Sequence, residues 1–170
     1  MSEARKEKAM RLFKEGYNCS QAVFAAYADK YGFDEETAFK ISASFGGGMG
    51  RMREVCGAAS GMFLVAGMET GAIDGKDVDG KKANYDMVQA LAAEYRKENG
   101  SIICKELLGL VPMPGAQTGE AVDVSAAQFT DTKPEPRTQE YYKKRPCAEL
   151  VGQACEILDR ILFCEEKDNQ

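Results

Sequence analysis

Cys56-Gly57-Ala58-Ala59-Ser60-Gly61-Met62-Phe63-Leu64-Val65-Ala66-Gly67-Met68 is a run of thirteen residues without a charge. A helix needs about 20 apolar residues to cross a bilayer, so the run is too short for a membrane span and reads as a buried central helix, within a segment from about Arg53 to Thr70. Gly57 and Gly61 put small residues on one face, where a second backbone, a cofactor or a thiol partner can come close. The same face could meet a second subunit, and the reading leans towards a homodimer.

Working outward, every neighbouring segment carries helical spacing. Towards the N-terminus, Ser2 is expected to cap a helix with Ala9, Leu12 and Phe13 on its inner face and Gly16 as its stop. Asn18 with Gln21 three residues on forms a capping box, followed by the stripe Ala22, Val23, Ala26, Tyr27 and the stop Gly32. Asp34 caps a third helix, with Glu35 and Glu36 in its first turn and Ala38, Ile41, Ser42 and Phe45 facing inward. Towards the C-terminus, a polar turn from Gly71 to Lys82 leads to the stripe Tyr85, Val88, Leu91, Ala92, Tyr95, ending near Gly100. Ser101 is expected to cap a short helix stopped by Gly109. A long aperiodic loop runs over about 110–138, and Pro146 at a first helical position opens the last helix, with Val151, Ala154, Leu158, Ile161 and Leu162 repeating to about Phe163. No segment reads as a strand. The expectation is an all-α, single-domain bundle of six to seven helices over residues 1–170 with one long loop insertion.

Composition narrows the chemistry. The 22 basic and 27 acidic residues give a net charge of −5, without the basic excess that phosphate-backbone binding needs, so nucleic acid is excluded as a partner. The sequence contains no histidine, which removes Cys-His hydrolases, histidine zinc sites and haem ligation by histidine. The charged stretch from Met1 to Gly16 has no apolar core of signal-peptide length, and no stable membrane insertion is expected; the reading is cytoplasmic. Six cysteines in a reducing compartment point to metal binding, redox chemistry or burial before they suggest a disulfide framework.

Four of the six fall at the starts of expected helices: Cys19 after Asn18, Cys56 at the central helix, Cys104 three residues after Ser101, and Cys147 after Pro146. A first helical turn has unpaired N–H groups and a partial positive charge, which favour the thiolate needed for nucleophilic attack or metal ligation. Cys155 and Cys164, within and at the end of the last helix, lack that help. No CxxC pair occurs, so any shared site is assembled from separated segments. Before Cys56 stands Gly46-Gly47-Gly48-Met49-Gly50-Arg51-Met52-Arg53, either a tight turn or a loop whose amides, with Arg51 or Arg53, offset the charge of a thiolate or an iron-sulfur centre. It lacks the Lys-Ser/Thr of a P-loop.

The glycine loop followed by Glu54-Val55-Cys56-Gly57-Ala58-Ala59-Ser60-Gly61 resembles the C_GCAxxG_C_C family of redox-active proteins. Its four cysteines would fall on Cys19, Cys56, Cys104 and Cys147, the four already singled out by position, over a resemblance from about Ala9 to Leu162 that omits Pro112–Pro136. A related domain accompanies split-Soret cytochromes, where an iron-sulfur centre has been suggested; without CxxCH or histidine, haem does not carry over. The first expectation is therefore that Cys19, Cys56, Cys104 and Cys147 hold an iron-sulfur cluster, [2Fe-2S] in the simplest case, and pass single electrons to a redox partner that the sequence does not specify. Gly47, Gly48, Gly50, Gly57 and Gly61 join them as candidate cofactor-binding positions. The same thiolates suit tetrahedral zinc. The alternatives are metal-free thiol-disulfide exchange with Cys56 as the attacking thiolate, and a helical interaction module with structural cysteines or a structural zinc.

Overall fold

The computed structural model describes residues 4–116, 129 and 131–164. Ser2, the expected first cap, and the middle of the expected long loop lie outside the described residues.

The chain is all-α. Six helices have eight or more residues: α1 (Arg5–Lys14), α2 (Cys19–Ala26), α3 (Glu35–Ser42), α5 (Gly57–Thr70), α6 (Val78–Asn99) and α9 (Cys147–Ile161). Three short turns, α4 (Gly46–Met49), α7 (Cys104–Leu107) and α8 (Gln139–Lys144), complete the set among the described residues. The centre is the pair α2 and α5. Ala22, Val23, Phe24, Ala25 and Ala26 are buried on one, and Ala58, Ala59, Met62, Val65 and Ala66 on the other. Their closeness depends on glycine: a Cβ on Gly61 would stand 2.7 Å from the Val23 Cβ, and one on Gly57 would stand 3.1 Å from the Cys19 Cβ. The small-residue face of the central helix is thus filled by α2 of the same chain. Around this pair, α1 lies against α2 and α9, and α6 against α5 and α9.

Several local expectations stand and several change. The Asn18 capping box is present, with Gln21 N donating to Asn18 Oδ1 and Asn18 N to Gln21 Oε1, both at 3.0 Å. Asp34 caps α3 through the Thr37 amide at 2.6 Å. The α1 helix starts after Ala4, whose amide donates to Glu7. Ile41 and Tyr85, expected inside, are 41% and 61% exposed, because α3 and the first half of α6 cover less of the core than their apolar spacing suggests. The expected turn over Gly71–Lys82 is shorter, since Asp77 caps α6 through the Gly80 amide at 2.8 Å and the helix begins at Val78. Ser101 does not cap α7; its hydroxyl accepts from the Ile103 amide, and Ile103 takes the capping position. Pro146 is the N-cap of α9, not its first residue, so Cys147 opens the helix. The short helix α8, capped by the Thr138 hydroxyl, was not expected.

Residues 53–56, expected at the start of the central helix, are not helical. Val55 pairs with Ile103 in an isolated antiparallel bridge. Cys56 N donates to Ile102 O at 2.7 Å and Cys104 N to Glu54 O at 2.6 Å. Two distant segments are thereby locked in register, each leading into a helix through a cysteine.

Candidate functional site

Each of the four singled-out cysteines stands at the start of a helix. Cys19, Cys104 and Cys147 are the first residues of α2, α7 and α9, and Cys56 is the N-cap of α5. All four line one cavity of about 260 Å³. Cys56, Cys104 and Cys147 are buried and Cys19 is half-buried. Gly47, Gly48, Gly50 and Gly57 share the lining, whereas Gly61 lies away from it and serves the packing of α5 on α2.

The glycine loop is a tight, mostly left-handed turn that wraps the thiols. Gly47, Gly48 and Gly50 have φ of +65°, +73° and +61°, and the non-glycine residues Met49, Arg51 and Arg53 share that region at +63°, +66° and +62°. Such a conformation costs a side-chain-bearing residue about 1–2 kcal/mol. Here it is offset by loop hydrogen bonds from Arg51 N to Gly46 O, Arg53 N to Gly47 O and Glu54 N to Gly48 O, at 3.3, 3.3 and 3.0 Å. Gly48 is needed for space as well: a Cβ there would meet the Cys104 Cβ at 2.6 Å and the Arg53 Cα at 2.8 Å.

The four thiols influence one another. A hydrogen bond between the Cys19 and Cys147 sulfurs holds Cys147 below the ordinary thiol range and pushes Cys19 well above it. Arg145, Arg137 and Arg53 add to the lowering at Cys147 against its burial. Cys56 and Cys104 follow the two residues of the Val55–Ile103 bridge. Burial pushes Cys56 up, opposed by the Tyr95 hydroxyl 3.5 Å from its sulfur and by the Ala59 and Ala58 amides. Burial, with the nearby Cys56, pushes Cys104 up to about 11, opposed by Arg53, whose Nη1 donates to Cys104 Sγ at 3.8 Å. Among the described residues, no three of Cys, Asp and Glu are gathered closely enough to hold one metal ion.

Other residues reach the cavity from segments that carried no motif. The stretch 131–137 places Thr132, Pro134, Glu135 and Arg137 on the wall. It is tied down by Arg51 Nε donating to Asp131 O at 3.0 Å, by an Arg145–Glu135 ion pair, and by Arg137 Nη2 donating to Tyr17 O at 3.3 Å. Tyr141 of α8 also lines the cavity, with the Arg137 and Arg145 guanidiniums 4.8 and 5.2 Å from its ring centre. Only the crowding of Arg and Tyr over residues 137–145 could have signalled this wall in advance. Cys155 is buried at the core, away from the cavity, and Cys164 is exposed at the end of α9.

The family model described as Putative redox-active protein (C_GCAxxG_C_C) matches residues 17–161. The chain belongs to this family. All four cysteines on the cavity wall of this C_GCAxxG_C_C protein fall within the matched span, and the family description makes it a redox-active protein. No curated protein and no solved structure matches the chain. Among the described residues no helix is long and apolar enough to cross a membrane.

Proposed function

We propose that Cys19, Cys56, Cys104 and Cys147 ligate an iron-sulfur cluster, in the simplest case [2Fe-2S], and that the protein transfers single electrons. The observation that carries this reading is the meeting of four helix-start thiols around a single cavity. The donor set fits: four soft sulfurs without histidine suit a cluster, and Gly48 lets the turn come up against Cys104 where a Cβ would displace it. A mononuclear zinc centre draws its four sulfurs to about 2.3 Å from one point. Four thiols spread around a cavity, with no three of the described Cys, Asp and Glu gathered at one point, favour a polynuclear centre over a single zinc. When bound, such a cluster takes up and gives back one electron; the chain supplies the ligands and places cations beside the sulfurs.

The test is iron and acid-labile sulfide analysis with a visible spectrum on protein purified without oxygen. Equal iron and sulfide, lost in Cys56→Ser, is the expected result. Zinc in place of iron, or no metal, rejects the cluster.

The Cys19–Cys147 sulfur contact supports a second reading, metal-free thiol-disulfide exchange. In it the Cys147 thiolate attacks a partner disulfide and releases one partner thiolate. Cys19 then attacks the mixed disulfide, releases the second, and leaves a Cys19–Cys147 bond. The lowered Cys147 thiol, beside a raised and more buried Cys56, supports Cys147 as the attacking sulfur in this reading. Metal-free protein with a Cys19–Cys147 disulfide after mild oxidation would favour this reading.

A further inference from the structure

The chain carries a net charge of −5, yet the wall of its cavity is cationic: Arg51, Arg53, Arg137 and Arg145 face it, with Glu135 as the one acidic residue among the described lining. Two of these arginines are neutralised locally, Arg51 by Asp131 and Arg145 by Glu135. The other two are not. Arg53 is only 7% exposed and its side chain contacts the Cys104 sulfur and no carboxylate among the described residues. Arg137 is held over the Phe13 ring at 4.2 Å with Nη2 donating to Tyr17 O, and its Nη1 is buried without a hydrogen-bond partner among the described residues.

A lysine so placed could shed its proton; a guanidinium cannot. A buried guanidinium facing no carboxylate and a buried donor left without an acceptor are both destabilising. Arg53 is the first and Arg137 Nη1 the second, and together on the wall of one cavity they mark the place of a compensating negative charge. We propose that Arg53 and Arg137 form a seat for a compact dianion in the four-cysteine cavity. Two occupants share that chemistry. A [2Fe-2S] core with four thiolates has a formal charge of about −2, and a small inorganic oxyanion, bound as a substrate beside the thiols, has the same. The seat deepens the function proposed above and rests on it only for the identity of the natural occupant.

The experiment is calorimetric titration of sodium sulfate into reduced, metal-free full-length protein, with ionic strength held constant by sodium chloride. Saturable sulfate binding above the chloride background is expected, weakened about tenfold or more in Arg137→Gln, since a charge-assisted hydrogen bond is lost. Arg160→Gln, on a distant surface where Arg160 pairs with Glu94 and Glu98, should bind as the wild type does. Sulfate bound no better than chloride overturns the seat; so does equal binding by a folded Arg137→Gln, or an equal loss in Arg160→Gln. If Arg137→Gln fails to fold, the wild-type preference for sulfate over chloride decides alone. Repeating the titration on iron-loaded protein separates the occupants, because exclusion of sulfate identifies the cluster as the resident dianion and retained binding identifies an oxyanion substrate. Protein that takes up no iron yet binds sulfate rejects the cluster and keeps the seat.

Discussion

At the scale of single residues, two glycines make opposite predictions. A methyl group at Gly48 would collide with the Cys104 Cβ and with the backbone of Arg53 and Glu54, in a left-handed conformation that already disfavours a side chain. Gly48→Ala should therefore displace Cys104 and abolish cluster uptake. A methyl group at Gly61 would press on Val23, away from the cavity. Gly61→Ala should cost about 1–3 kcal/mol through overpacking of α2 on α5, yet keep cluster uptake at temperatures where it is folded. Urea midpoints and iron content for both variants check this; equal iron loss in the two would deny the glycine turn its special place at the thiols. Tyr95 offers a finer test. It is fully buried, and its hydroxyl is bonded to Cys56 Sγ. With a cluster bound, that hydroxyl donates to a ligand sulfur and favours the reduced state, so Tyr95→Phe should shift the midpoint potential downward in a redox titration.

At the scale of elements, the Asn18 capping box links α2 to the glycine turn as well as starting the helix. Its Nδ2 donates to Ala43 O at 2.9 Å, and its side chain fills the space where a Cβ of Gly46 would lie. Asn18→Ala should cost about 1–2 kcal/mol and loosen Cys19, visible as faster alkylation of that thiol in metal-free protein; unchanged alkylation would mean that the cap serves stability alone. This cap was legible in the sequence because Asn18 and Gln21 carry their own geometric code; the helix starts at Cys19, Cys56, Cys104 and Cys147 were read from Asn18, the uncharged run, Ser101 and Pro146, and the glycine turn with Arg51 and Arg53 was read as bordering Cys56. The way these pieces are held together was not legible. The Val55–Ile103 bridge depends on a pairing 48 residues apart, for which a two-residue contact leaves no periodicity. The left-handed Met49, Arg51 and Arg53 break a residue-level preference and are held by hydrogen bonds within the folded turn. The wall at 131–137 lies in an aperiodic stretch whose partners, Arg51, Tyr17 and Arg145, come from three other segments.

At the scale of the whole molecule, the cavity thiols and the core thiol have different partners and should be separable by pH. Cys155 sits at the base of the bundle, fully buried, and burial with the charge of Asp159 pushes its pKa up from 9.0 to about 12. Beside it the Tyr27 hydroxyl donates to Cys155 O at 3.1 Å and to Asp159 at 2.9 Å, and its own pKa is raised by burial. For a group whose folded pKa is raised, the unfolded chain ionises first, so its stabilising contribution is complete below the unfolded value and declines as pH climbs towards the folded one. The window for Cys155 is therefore pH 9 to about 12. At about 1.4 kcal/mol per unit, the loss across it is on the order of a few kcal/mol. Cys155→Ala removes the titrating group from the core while leaving the cavity intact, so its stability should fall less steeply than wild type across this window while the two curves run parallel from pH 6 to 8. Urea unfolding of reduced, metal-free protein at intervals of pH checks it. Parallel curves above pH 9 would show that the Cys155 thiol exchanges protons with solvent in the folded state, and that the core around it opens more readily than its packing implies.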